Sequence, residues 1–148
     1  MIDKNSGELV IESIPLRIGP RLSRAEFLSL PVGKSARVVV KNEPFCSYNI
    51  GKYEISGLIF IVTIYFYNDL LESVSLYSVD GKSGESWSDW SEQKELEKKE
   101  IHDRWLTNLL GKAASYYRWG EVSSGYDPKG GFSSIEIRYS WQGKPWRK

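Results

Sequence analysis

The chain has 148 residues, one cysteine and a formal net charge of +1. That length suits a single domain and is long enough to bury a core without disulfides or metals. A lone cysteine excludes an internal disulfide, and the near-balanced charge excludes a global field drawing the protein to nucleic acid or an anionic membrane.

The first residues carry no apolar stretch of the kind a signal peptide needs, so the expected location is the cytoplasm, where Cys46 is a reduced, buried thiol. Residues 9–18 place Val10, Ile14, Leu16 and Ile18 on one parity, as in a half-buried strand, and Gly19 and Pro20 end it. Ser23, with Glu26 three residues later, forms a capping box that opens a short helix through Phe27 and Leu28. Pro31 and Gly33 are expected to stop it. Residues 35–42 alternate Ala36, Val38 and Val40 with Arg37 and Lys41, which predicts a strand with one solvated face. Residues 45–55 form a third, irregular strand with a turn or bulge at Gly51.

Residues 57–67, GLIFIVTIYFY, are the apolar centre of the chain. β-Branched and aromatic residues favour a pleated surface. The run lacks a wet parity, so both faces are expected to be covered. It is about half the roughly 20 residues a membrane-spanning helix needs. Asn68 and Asp69 mark a turn, and residues 71–79 return as another strand. Short connections between these runs argue for an antiparallel meander.

Residues 80–86 are polar and glycine-containing, as in a mobile loop. Trp87 and Trp90 follow, and then one long helix ending near Leu110, with Gly111 as the C-terminal cap and Asp89 or Ser91 as the N-cap. Its expected inward stripe is Leu96, Ile101, Trp105, Leu106, Leu109 and Leu110, with the N-terminal half projecting into water. Glu95–Lys99 and Glu100–Arg104 are expected i,i+4 pairs. Residues 113–119 read as more helix, closed by Gly120. Residues 121–126 read as a strand and 127–131 as a turn. Residues 134–141 alternate Ile135, Ile137, Tyr139 and Trp141 with polar neighbours, the clearest half-buried strand in the chain. The predicted fold is α+β: a mostly antiparallel sheet of roughly five to seven strands in one domain, with a long helix on one face, a short N-terminal helix and a C-terminal hairpin.

Chemistry is harder to find. One His and one Cys, far apart, do not make a metal site, and His102 reads as a helix-surface or core-edge residue. No nucleophile elbow is present. The loop at Gly81, Lys82, Ser83 and Gly84 lacks the spacing of a phosphate-binding loop. No cofactor is called for. What remains is aromatic side chains set among acids. Glu85, Trp87, Asp89, Trp90, Glu92 and Glu95 have the composition of a protein interface, and acids there would steer a basic partner. Tyr126 and Asp127 complete the candidate partner-binding set.

The β-meander, the helix that opens after Trp87, Trp90 and Ser91, and the closing stretch WGEVSSGYDPKGGFSSI at residues 119–135 together resemble a group of small bacterial proteins. The group includes immunity proteins paired with polymorphic or contact-dependent growth-inhibition toxins. The resemblance implies a non-enzymatic protein that binds and neutralises a cognate toxin domain, often a nuclease. Many such proteins are clearly acidic, and the +1 here departs from that. Two other readings stand beside it. One is a nucleic-acid-binding module using the sheet face and the tail with Lys144, Trp146, Arg147 and Lys148, against which the overall charge balance argues. The other is a small-molecule-binding protein or hydrolase with a carboxylate site. A second subunit is one possible cover for the apolar centre.

Overall fold

The computed structural model describes residues 1–14, 16–79 and 91–140. The chain starts with β1 (Leu9–Ile11) and β2 (Leu16–Ile18), then two short helices, α1 (Arg24–Ser29) and α2 (Pro31–Lys34). Four strands follow: β3 (Arg37–Asn42), β4 (Phe45–Ile55), β5 (Leu58–Tyr67) and β6 (Leu70–Val79). The long helix α3 (Glu92–Leu110) leads to β7 (Ala114–Tyr117), β8 (Gly120–Asp127) and β9 (Phe132–Tyr139).

Strands β3 to β9 form one seven-stranded sheet in the order β3-β4-β5-β6-β9-β8-β7. Every pairing in it is antiparallel. β4 and β5 are joined by a two-residue turn in which Ser56 and Gly57 both have positive φ, 48° and 92°. That is the twist-compatible hairpin connection, and glycine takes it without a Cβ clash. The expected irregularity at Gly51 is a register shift between Asn49 and Gly51.

The core lies on one face of this sheet. Phe60, Val62, Ile64 and Phe66 from β5, Leu71, Val74 and Leu76 from β6, and Ile135, Ile137 and Tyr139 from β9 are all buried there. Removing each large apolar side chain from water contributes roughly 1.5–3 kcal/mol. Phe27 of α1 packs on Tyr48 and Phe66, with ring centroids 5.4 and 5.6 Å apart. Trp105 of α3 meets Phe60 edge-on at 4.9 Å, and its indole N–H donates to the carbonyls of Ile55 and Ser56. The Tyr139 hydroxyl donates to Gly7 O at 2.7 Å and lies 3.3 Å from Ile18 O, so it ties the β1–β2 hairpin to the same face. Burial pushes its pKa well up, which keeps it a donor.

Several expectations are corrected. Residues 9–18 are two strands folded on each other, Leu9 opposite Ile18. The reversal buries Leu9 and Ile11 in place of Val10 and Ile14. Pro31 stops α1 but also opens α2, since its fixed φ suits a first helical position. Residues 114–117 form an edge strand where more helix was expected. Leu96 and Ile101 of α3 are exposed, and the inward stripe is Glu95, His102, Trp105, Leu106 and Leu110. The N-terminal half of α3 is therefore fastened to the protein. Lys99 pairs with Asp103 at 2.9 Å, and Glu95 has Lys98 at 3.7 Å in place of Lys99. The expected burial of Trp141 lies outside the described residues.

The largest correction concerns β5. Among the described residues, one of its faces is covered and the other is largely open. The hairpin, α1, α2 and most of α3 sit on the Phe60 side, and on the other, among the described residues, the start of α3 reaches only Tyr77, which lies opposite Ile61. β3 likewise has both faces in water rather than one.

Candidate functional site

Register assigns the residues of the bare face. Across β4, β5 and β6, Phe45, Tyr67 and Leu70 form one row, and Ser47, Tyr65 and Ser73 the next. Asn49, Thr63 and Ser75 come third, then Lys52 with Ile61. The second row continues through Arg138 of β9 and Glu121 of β8 to Tyr116 of β7. Seven strands of this length offer a surface of roughly 30 Å by 25 Å. That compares with the ~800 Å² that one side of a standard protein interface buries.

The two halves of this face differ in chemistry. The β4–β5 half is apolar and aromatic, with Phe45, Ile59, Tyr65 and Leu70 exposed. The β9–β8–β7 half is charged. Arg138 donates to Glu136 at 2.9 Å and faces Glu121 across the strand pair. The Glu136 bond, then the charges of Glu136, Glu121 and Glu72, raise the Arg138 pKa above its ordinary value. Glu136 thus binds the guanidinium and Glu121 stands opposite it, in the row that ends at Tyr116, which is 81% exposed. Burial, and then Glu136, also raises the Tyr65 pKa. Aromatic area bordered by charge is what protein interfaces select, because rings bury large area at little entropic cost and the charges set orientation.

Of the residues expected from sequence, Glu85, Trp87, Asp89 and Trp90 lie outside the described residues. Glu92 and Tyr126 are brought together: the Tyr126 hydroxyl donates to Glu92 Oε2 at 3.4 Å. Asp127 follows at the end of β8, where its Oδ1 accepts from Lys129 N at 3.0 Å and shapes the turn. Glu95 is not on display. It is 5% exposed and accepts from Ser133 N at 2.9 Å and from the Tyr77 hydroxyl at 3.0 Å. The Lys98 ammonium stands 3.8 Å from the centre of the Tyr77 ring. A carboxylate in the first turns of a helix is favoured by the helix dipole. Here it also satisfies the start of β9, so its role is internal. Tyr65, Tyr116, Glu121, Glu136 and Arg138 were not expected as site residues. The alternation of Glu136 and Arg138 showed which parity of β9 is wet, but not that the wet parity joins the outer half of β5.

Two features resemble catalytic parts. His102 Nε2 lies 2.7 Å from Ser78 Oγ, a nucleophile-to-base distance. Both residues are buried, and among the described residues His102 Nδ1 has no partner to orient the ring. Burial, and then the charge of Lys98, pushes the His102 pKa down to about 4. A neutral ring sharing a proton with a hydroxyl in a packed interior is a core contact. An open depression of about 390 Å³ is lined by Arg24, Ala25, Leu28, Glu43, Asn68 and Asp69. Its charged groups are engaged with one another: Arg24 grips Glu43 at 3.0 and 3.3 Å, and Asp69 Oδ1 accepts from Ala25 N. Among the described residues there is no group of three or more His, Cys, Asp or Glu able to hold a metal ion, and no helix is long and apolar enough to cross a membrane.

Comparison with protein-family models, with curated proteins and with solved structures finds no match to this chain.

Proposed function

We propose that this protein is a non-enzymatic binding partner: an immunity protein that occupies and neutralises a cognate bacterial toxin domain in the cytoplasm. The observation that carries the reading is the division of the sheet. One face holds nearly all of the described core, Val79 opposite Ile59 being the exception, and the other presents Tyr65, Ile61, Tyr67 and Tyr116 beside Glu136 and Glu121. The carboxylates suit a basic partner surface, such as a nuclease uses to hold nucleic acid.

The test is co-expression with the toxin encoded next to this gene, together with direct titration of the purified pair. Protection and a saturable complex are expected. Replacing Tyr65 and Tyr116 by alanine together should weaken the complex at least tenfold, since aromatic anchors are each worth about 1–2 kcal/mol or more at an interface. Absence of both protection and complex would remove the reading.

A further inference from the structure

Among the described residues, β3 is the outermost strand on its side of the sheet and pairs with β4 only. All six of its residues are exposed. At its centre stand three consecutive valines, Val38, Val39 and Val40, at 50%, 49% and 43% exposure. The strand bulges between Val38 and Val40. An edge strand presents a row of unpaired backbone donors and acceptors, and proteins commonly blunt such edges with charge or brevity. Here the charge is all of one sign. Arg37 and Lys41 flank the valines, exposed Lys34 precedes them, and the strand itself carries no acid. The nearest carboxylate in sequence, Glu43, is already bound to Arg24 at 3.0 Å.

This arrangement discriminates between occupants. The bulge puts Arg37, opposite Asn49, and Lys41, opposite Cys46, on opposite faces of the sheet. A second copy pairing β3 against β3 would therefore gather four cations along one seam, on both faces, with no acid from either strand to offset them. An extended segment with acids at its ends would meet cations instead, while its centre lay along the valines.

We propose that the free edge of β3 accepts an extended acidic segment of a partner protein as an eighth strand. Backbone hydrogen bonds would supply affinity, and Arg37 and Lys41 would select acids flanking a β-branched centre. The proposal rests on the partner-binding reading but not on the partner being a toxin, so it is tested without one.

The probe is a capped, fluorescein-labelled peptide with glutamates flanking a Val-Thr-Val centre. The control is the same peptide with lysines in place of the glutamates. Anisotropy should show the acidic peptide binding at least tenfold more tightly than the basic one at low salt. The double variant Arg37→Glu, Lys41→Glu should invert that preference. On the unaltered protein, amide exchange along β3 should slow when the acidic peptide is added, which decides the matter even if the variant folds poorly. Equal binding of the two peptides, binding of neither, or β3 protection that rises with the concentration of the protein alone would overturn the proposal. The last outcome would point to a second copy.

Discussion

His102 makes the interior sensitive to acid. Its ring is fully buried against Ser78 and Phe60, and Lys98 and Lys99 on its own helix oppose a further positive charge while Asp103 favours one. In the unfolded chain the imidazole takes a proton near pH 6.5, whereas in the folded protein it does so only at about 4. Above pH 6.5 both states are neutral, and stability is full as far as this group is concerned. As pH falls from 6.5 toward 4 only the unfolded chain gains the proton, so stability drops by an amount on the order of 3 kcal/mol. Urea titrations across that window should show the loss, and His102→Gln should flatten it. A variant with the same pH profile as the parent would refute the assignment. The inward position of His102 is not legible in sequence, because helical periodicity marks an inward face by its apolar residues and His102 is polar. Glu95 and His102 occupy inward positions with polar side chains, and only their partners on β6 and β9 reveal why.

The elements divide between those with local signals and those made by pairing. The ends of α3 belong to the first kind. Ser91 Oγ accepts from Lys94 N at 3.1 Å, so Ser91 rather than Asp89 is the N-cap, and Gly111 ends the helix with φ at 85°. Ser91→Ala should lower stability by about 1 kcal/mol, and Ser91→Asp should restore most of it, as read by thermal unfolding. Equal loss in both variants would mean that another group caps the helix. β7 belongs to the second kind. Four residues hold a strand there because Ser115 and Tyr116 lie opposite Val122 and Glu121. Gly120 permits the approach: at φ 153°, a Cβ on it would lie 1.8 Å from Arg138 O. Nothing within residues 113–119 signals that contact, which is why the segment read as helix.

Across the whole molecule, the unequal faces of the sheet have a measurable consequence. Ile61 and Ile64 are three residues apart in one strand, yet Ile64 is fully buried and Ile61 points to the bare side. Ile64→Ala should cost about 2–5 kcal/mol, whereas Ile61→Ser, at a half-buried position, should cost about 1 kcal/mol. If Ile61→Ser proved as costly, and its effect depended on protein concentration, a second subunit would be covering the face.

The sequence alone determined the class of the fold, the strands at residues 45–55 and 57–67, most of the last strand from residue 134, and the C-terminal cap of the long helix, and it narrowed the N-cap to Asp89 or Ser91. These follow from periodicity and from backbone hydrogen bonds between near neighbours, which a linear reading can see. Only the tertiary structure decided that β5 is dry on one side, that β3 stands in water on both, and that Glu95 and His102 face inward. Those outcomes depend on which strands meet and what packs on top of them. A run such as residues 57–67 is equally apolar whether its second face lies under a neighbour or waits for a partner.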